Sequence, residues 1–320
     1  MPDSSTEHPI LLGCVQARLG KWEDARSVME DVIRRFPGRA EGYLNLGLFC
    51  LERGETSRAA ALFDTASRLE SKGSKLLYVV RSRKDCRGLQ PPQPALAKTS
   101  GSSELYSQLA EQLYRGQQSS AALEVFLLAL EANPRSERAY AGVGRICSEV
   151  DSVAEGRAFL EKGIELFPQS AALHFNIGLV FQALGQPAQA VQQFEKALEL
   201  RGVQASPLDW IQLGTAQQAS GNSADAERSF LKGLSLDPSM ARGHFELGKL
   251  YLQQASYPAA EAALEKATQL DPRLLGAYYQ YGLVCLRNAK PEKGKALLNA
   301  FHRKKELYAP APAPERQTDP

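Results

Sequence analysis

Glycines return along this chain at a fixed interval. Gly13 and Gly47 are 34 residues apart, as are Gly144 and Gly178, and Gly214, Gly248 and Gly282 continue the step. Pro134 with Pro168, Pro238 with Pro272, and Ala25 with Ala59 keep the same spacing. Such a period excludes most globular folds, because each unit is one supersecondary element that can bury its apolar face only against a neighbour. In register the units run 6–39, 40–73, 103–136, 137–170, 171–204, 207–240, 241–274 and 275–308, which together take up 272 of 320 residues.

Each unit reads as two helices. In 40–73, Tyr43, Leu46, Gly47 and Cys50 recur at i, i+3, i+4, i+7, the spacing of one helical face. Glycine at the eighth position lets the second helix approach closely, and a later small residue, Ala59 or Ala190, receives it. Gly54, Gly185 and Gly221 stand at the turn between the helices, where positive φ can be required. The closing proline fixes φ and stops the second helix. With 43% apolar residues the chain can fill the resulting core.

These residues resemble the tetratricopeptide repeat, whose pattern is an aromatic, Leu-Gly, Tyr, then Ala, an aromatic, Ala and Pro. Unit 207–240 supplies Trp210, Leu213, Gly214, Ala226, Phe230, Gly233 and Pro238; unit 241–274 supplies Leu247, Gly248, Tyr251, Ala260, Leu264, Ala267 and Pro272. Unit 40–73 has Tyr43, Leu46, Gly47, Ala59, Phe63 and Ala66, but Ser71 replaces the proline. The resemblance implies an all-α fold, a right-handed α-solenoid of about eight helix-turn-helix repeats.

The period breaks twice. Two residues are inserted at Ala205-Ser206, and 74–102 stands outside the repeats. Lys75 to Val80 suggests a capping helix at about 74–87, and Pro91-Pro92-Gln93-Pro94 with the Ser/Gly run after it reads as a linker, 88–102. The expectation is therefore an N-terminal lobe, 6–87, a C-terminal lobe, 103–308, and a disordered Pro/Ala tail, 309–320. The basic cluster Lys72, Lys75, Arg81, Arg83, Lys84, Arg87 reads as a solvated helix face.

Lys plus Arg is 38 against Asp plus Glu 36, a balance of +2 without the basic excess of a nucleic-acid binder. No apolar run is long enough to cross a bilayer. Leu11-Leu12-Gly13-Cys14 matches a lipoprotein box, but no basic start or long apolar core precedes it, so it reads as repeat helix. Cys14, Cys50, Cys86, Cys147 and Cys285 form no CxxC pair and read as reduced core thiols, pointing to a cytoplasmic protein.

Catalysis finds no footing. His174 and His244 take the fourth position of their repeats, where Tyr43 and Trp210 stand elsewhere, and Cys50, Cys147 and Cys285 take the eleventh. Both sets read as packing residues. Phosphate-binding glycine loops, HExxH and nucleophile elbows are missing. The expectation is no enzyme, no cofactor and no metal.

Binding remains. By the family resemblance, positions 2, 5, 6, 9, 12 and 13 of each first helix face a concave groove. Position 6 reads Asn45, Gln108, Gly142, Asn176, Gln212, Glu246 and Gln280, five of the seven being carboxamides. Each carboxamide offers a donor and an acceptor to a peptide backbone. The row is similar to the asparagine ladder in the superhelical arm of the O-linked N-acetylglucosamine transferases. Phe175, Ile211, Phe245 and Tyr279 at position 5 and Leu179 and Leu283 at position 9 suggest side-chain pockets, with inter-repeat packing as the competing account. Arg145, Arg242 and Lys249 could pair with acidic groups of a ligand.

The chaperone-binding class clamps a C-terminal carboxylate with Lys and Asn at set positions. Asn45 is flanked instead by Ile10, Cys14, Glu104 and Gln108, and Asn176 by Ala141, Arg145, Leu208 and Gln212, so the clamp is not matched. The sequence thus points to an adaptor that holds a protein or peptide segment. The alternatives are a self-assembling spacer and the substrate-recruiting subunit of a separate enzyme.

Overall fold

The computed structural model describes residues 7–18, 21–69, 86–92, 102–150 and 152–308. Sixteen α-helices, and no strand, occur among them. They form eight hairpins: α1 (Glu7–Arg18) with α2 (Trp22–Arg35), α3 (Ala40–Glu52) with α4 (Thr56–Arg68), α5 (Ser102–Arg115) with α6 (Ser119–Ala132), and α7 (Glu137–Glu149) with α8 (Val153–Leu166). Then come α9 (Ala171–Ala183), α10 (Pro187–Arg201), α11 (Pro207–Ala219) with α12 (Ser223–Leu236), α13 (Ala241–Gln253) with α14 (Tyr257–Leu270), and α15 (Leu275–Arg287) with α16 (Pro291–Leu307). Every pair begins where the 34-residue register places it. The expected capping helix falls largely on 70–85, and the tail on 309–320, both outside the described residues.

The chain divides into two compact units, Met1–Val180 and Phe181–Pro320. The lobes expected on either side of 88–102 come together in the first, except that the second continues past Val180. Within the first unit the Tyr106 hydroxyl on α5 donates to Ala60 O on α4 at 3.3 Å.

One contact recurs in both units. A Cβ placed on the eighth-position glycine would collide with the side chain sixteen residues on: Gly214 with Phe230 at 2.6 Å, Gly248 with Leu264 at 2.6 Å, Gly282 with Leu298 at 2.8 Å. In the first unit Gly47 meets Phe63, Gly144 meets Leu160, and Gly13 meets Met29 at 3.1 Å. The side chains that fill the space are buried, Phe63, Phe230, Leu160 and Leu264 among them. Burial of an aromatic or Leu side chain contributes about 1.5–3 kcal/mol, so the missing methyl group creates room for a larger apolar contact.

The hairpin turn is equally regular. Gly54, Gly185 and Gly221 have φ of +76°, +67° and +88°, in the left-handed region expected of them. The same fifteenth position is filled elsewhere by Gln117, Ala255 and Ala289, at φ +61°, +56° and +54°. A side chain there is strained by the Cβ–carbonyl clash. The inserted residues between α10 and α11 form a 3-10 turn, Gly202–Gln204, and a capping box in which Ser206 Oγ accepts from Asp209 N and Asp209 Oδ2 accepts from Ser206 N at 2.7 Å. Arg201 also pairs with the buried Asp209, so the irregular joint is fastened by charge.

Ion pairs join successive repeats at matching positions. Near the N-terminus Glu55 and Arg58 reach back to Arg26 and Glu30 on α2. Near the C-terminus Lys290 and Lys293 occupy the places of Glu55 and Arg58, and reach back to Glu261 and Glu265 on α14. The sign of the first pair is reversed and its geometry kept. Burial opposes the Glu261 charge, but hydrogen bonds from Lys290, Asn288 and Lys293 outweigh it and hold the carboxyl at about 2.

Three stability outcomes follow from these contacts. Gly214→Val should destabilise by about 1–3 kcal/mol through overpacking against Phe230, seen as a lower thermal midpoint. Ala289→Gly should stabilise by about 0.5–1 kcal/mol, because relief of the left-handed strain exceeds the added freedom of the unfolded chain. The Glu261 pKa lies below its unfolded value of 4.5. Its stabilisation is therefore complete above pH 4.5 and is lost as pH falls towards 2, by on the order of 1–2 kcal/mol once screening at the exposed lysines is allowed for. In Glu261→Gln, chemical denaturation across that window should show a correspondingly flatter acid limb.

Candidate functional site

In the second unit the first helices touch one another, α11 with α13 and α13 with α15, while α12 and α14 are each flanked by the first helix of the next repeat. The row of first helices is thus the tighter side of this stack, and its outward residues form the candidate site.

Side chains along that row divide into buried and open. Ile211 is fully buried in a cluster with Ala226, Phe230, Leu234, Leu247 and Leu250, so here inter-repeat packing describes it. Gln212 is 8% exposed, and its buried Oε1 has no hydrogen-bond partner. Glu246 is also buried and accepts from Lys249 Nζ at 2.6 Å, while that ammonium stands 5.3 Å from the Phe245 ring centre. Phe245 is half-buried against Ala260, Leu264 and Tyr281. Tyr279 is 42% exposed, with its ring 5.5 Å from that of Phe301. Gln280 and Leu283 are half-buried, and Arg242 is exposed with no ion pair among the described residues.

Two further apolar side chains on this row are open. Leu208 and Leu286, 39% and 40% exposed, fall on groove positions 2 and 12. The same positional rule that selected Tyr279 covers them.

In the first unit the polar candidates are largely engaged. Asn45 is fully buried and its Nδ2 donates to Glu41 O at 2.7 Å, one turn back on its own helix. Asn176 Nδ2 donates to Ala141 O of the preceding repeat at 3.3 Å. Gln108 is exposed and donates to Glu104 at 3.1 Å. The Arg145 guanidinium lies 4.0 Å from the Tyr114 ring centre. Burial, with the hydrogen bond to Glu149 adding to it, raises the Tyr114 hydroxyl to about 12. Phe175 and Leu179 are half-buried. Arg138 on α7 pairs with Glu104 and Glu111 on α5, lacing successive repeats at these positions.

The fourth-position residues have a structural duty that the sequence pattern did not disclose. His174 Nε2 donates to Pro168 O at 3.0 Å and His244 Nε2 to Pro238 O at 3.0 Å. Tyr43 and Tyr140 make the same bond to Pro37 O and Pro134 O, at 3.2 and 3.1 Å. A carbonyl only accepts, so the imidazole nitrogen carries the proton, and each ring caps the proline turn that closes the repeat before it.

One expectation about the cysteines is corrected. Cys86 and Cys147 are joined in a disulfide across a sequence separation of 61, so Cys147 is no core thiol. Pairing of that range leaves no local spacing to read. Cys50 and Cys285 are buried thiols, and burial, reinforced by Glu55, raises the Cys50 thiol to about 11.

Among the described residues no group of three or more His, Cys, Asp or Glu is placed to hold a metal ion, and no helix is long and apolar enough to cross a membrane. A polar cleft of 430 Å³ lies on α10, α11 and α12, lined by Glu195, Trp210, Gln217 and Lys232 among others. On its wall Ser229 Oγ donates to Gln217 Oε1 at 2.7 Å and Arg228 pairs with Asp225.

Family models of the tetratricopeptide repeat match residues 10–71, 171–203 and 211–274. No match is found among curated proteins. Among solved structures, PilW, a widely conserved type IV pilus biogenesis factor, is 17% identical, with a TM-score of 0.59 over 66% of this chain and 94% of its own. The pilF protein of Pseudomonas aeruginosa is 16% identical, with a TM-score of 0.55 over 65% and 93%. The APC/C assembly Cut9–Hcn1 gives 16% and 0.55 over 89% and 49%. Such identities speak for the fold alone; it is the repeat models that place this chain in the tetratricopeptide repeat family.

Proposed function

We propose that this chain is a non-enzymatic adaptor that holds a segment of a protein partner along the first-helix row of 207–287. The observation that carries this reading is the line of incompletely covered apolar side chains, Leu208, Phe245, Tyr279, Leu283 and Leu286, beside Arg242, which has no ion pair among the described residues. Single exposed apolar residues need no explanation, but a row on one face is the usual mark of a contact surface. Its chemistry suits an extended or helical segment with apolar side chains at intervals and a carboxylate for Arg242. Gln280 is the carboxamide of this row placed to meet the guest's backbone, whereas Gln212 turns its oxygen inward.

The test is an array of short peptides, acidic-apolar, basic-apolar and polar, probed with the full chain. The acidic-apolar class should bind best. Tyr279→Ser and Arg242→Ala should each weaken it about tenfold, the equivalent of 1.4 kcal/mol, with unchanged helicity. Binding indifferent to both substitutions, or confined to the basic class, would contradict the proposal.

A further inference from the structure

The disulfide sits in repeat 137–170, where the sixteenth- and nineteenth-position side chains are bonded by a turn from outside the repeats. In 40–73 and 275–308, the sixteenth and nineteenth positions carry charges that reach the second helix of the repeat before. In 137–170 those positions are Ser152 and Glu155, and the matching residues of the preceding helix α6 are Leu123 and Leu127, which offer no polar group. A turn from the inter-repeat segment supplies the bonds instead. Cys86 N donates to Ser152 Oγ at 3.2 Å, and Gly88 N donates to Glu155 Oε1 at 3.1 Å. The turn is closed by Leu89 N donating to Cys86 O at 3.1 Å, with Gly88 at φ +75° where a side chain would be strained. Its first residue is the one bonded to Cys147, and both cysteines are fully buried.

We propose that Cys86 and Cys147 are an oxidative modification site whose bond locks the turn Cys86–Leu89 onto Ser152 and Glu155 of repeat 137–170. The bond is made by exchange with a small-molecule or protein disulfide. The Cys86 thiolate attacks one sulfur of the oxidant and expels the other as a thiolate. The Cys147 thiolate then attacks the Cys86 sulfur of the mixed disulfide and expels the second. Two electrons pass from the cysteine pair to the oxidant, which leaves as two thiols carrying the two protons. Since both sulfurs are buried once the turn is seated, exchange takes place before closure, and the finished bond is shielded from reductants. That behaviour is a structural lock, not a fast switch, and it belongs to an oxidising compartment.

The test uses the full chain, denatured, reduced, and refolded in a mixture of reduced and oxidised glutathione. It is then denatured, alkylated without reduction, and peptide-mapped. A single linked species containing Cys86 and Cys147 is expected, with Cys14, Cys50 and Cys285 alkylated. Limited trypsin cleavage after the exposed Arg87 is then followed by mass spectrometry in the oxidised chain, the reduced chain and the Cys86→Ser/Cys147→Ser variant. Loss of the bond should speed that cut about tenfold or more, as a local opening becomes populated, while far-ultraviolet helicity is kept. If the variant itself loses helicity, the reduced chain carries the comparison. Recovery of Cys86 and Cys147 as alkylated thiols after refolding would overturn the proposal. So would a cleavage rate at Arg87 that is the same with and without the bond.

Discussion

The close approach of paired helices rests, in six of the eight repeats, on a methyl group that the eighth-position glycine lacks. The eighth-position glycine removes a Cβ that would stand inside the side chain sixteen residues on, as at Gly214 with Phe230 and Gly248 with Leu264. That contact sets the distance between the two helices of a hairpin. The hairpin still has an uncovered apolar side, and stacking on the next hairpin is what buries it. Packing density in such a core leaves little slack, so a fixed helix separation repeats as a fixed step from unit to unit.

Around the recurring core the chain uses several devices for one purpose, which is to hold each hairpin to the previous one. Tyr43, Tyr140, His174 and His244 bind the carbonyl of the proline that ends the repeat before. Glu55 and Arg58 at one end, and Lys290 and Lys293 at the other, make equivalent ion pairs of partly opposite sign. Arg201 and Asp209 secure the joint with inserted residues. The conserved quantity along the stack is the bond between neighbours, while the residues that make it change.

The helical pairs, their turns and their glycine contacts were legible in the sequence because they depend on short, repeated spacings. What escaped was long-range pairing. Nothing local links Cys86 to Cys147, and the reversed charges at Arg26–Glu55 and Glu261–Lys290 look like ordinary surface residues until the helices are placed. Assigning groove residues by position also left the depth of each side chain undecided. Asn45 and Ile211 share the positional signature of Gln280 and Tyr279, yet both are fully buried, because a residue at the edge of a helical face can turn towards the core or away from it.

Amide hydrogen exchange on the intact chain tests the dependence on stacked hairpins most directly. Slow exchange should recur at 34-residue intervals, greatest in α11 and α13, which are held by neighbours on both sides, with fast exchange at the turns around Gly221, Ala255 and Ala289. Protection without that period, or turns as slow as the helix centres, would contradict the account.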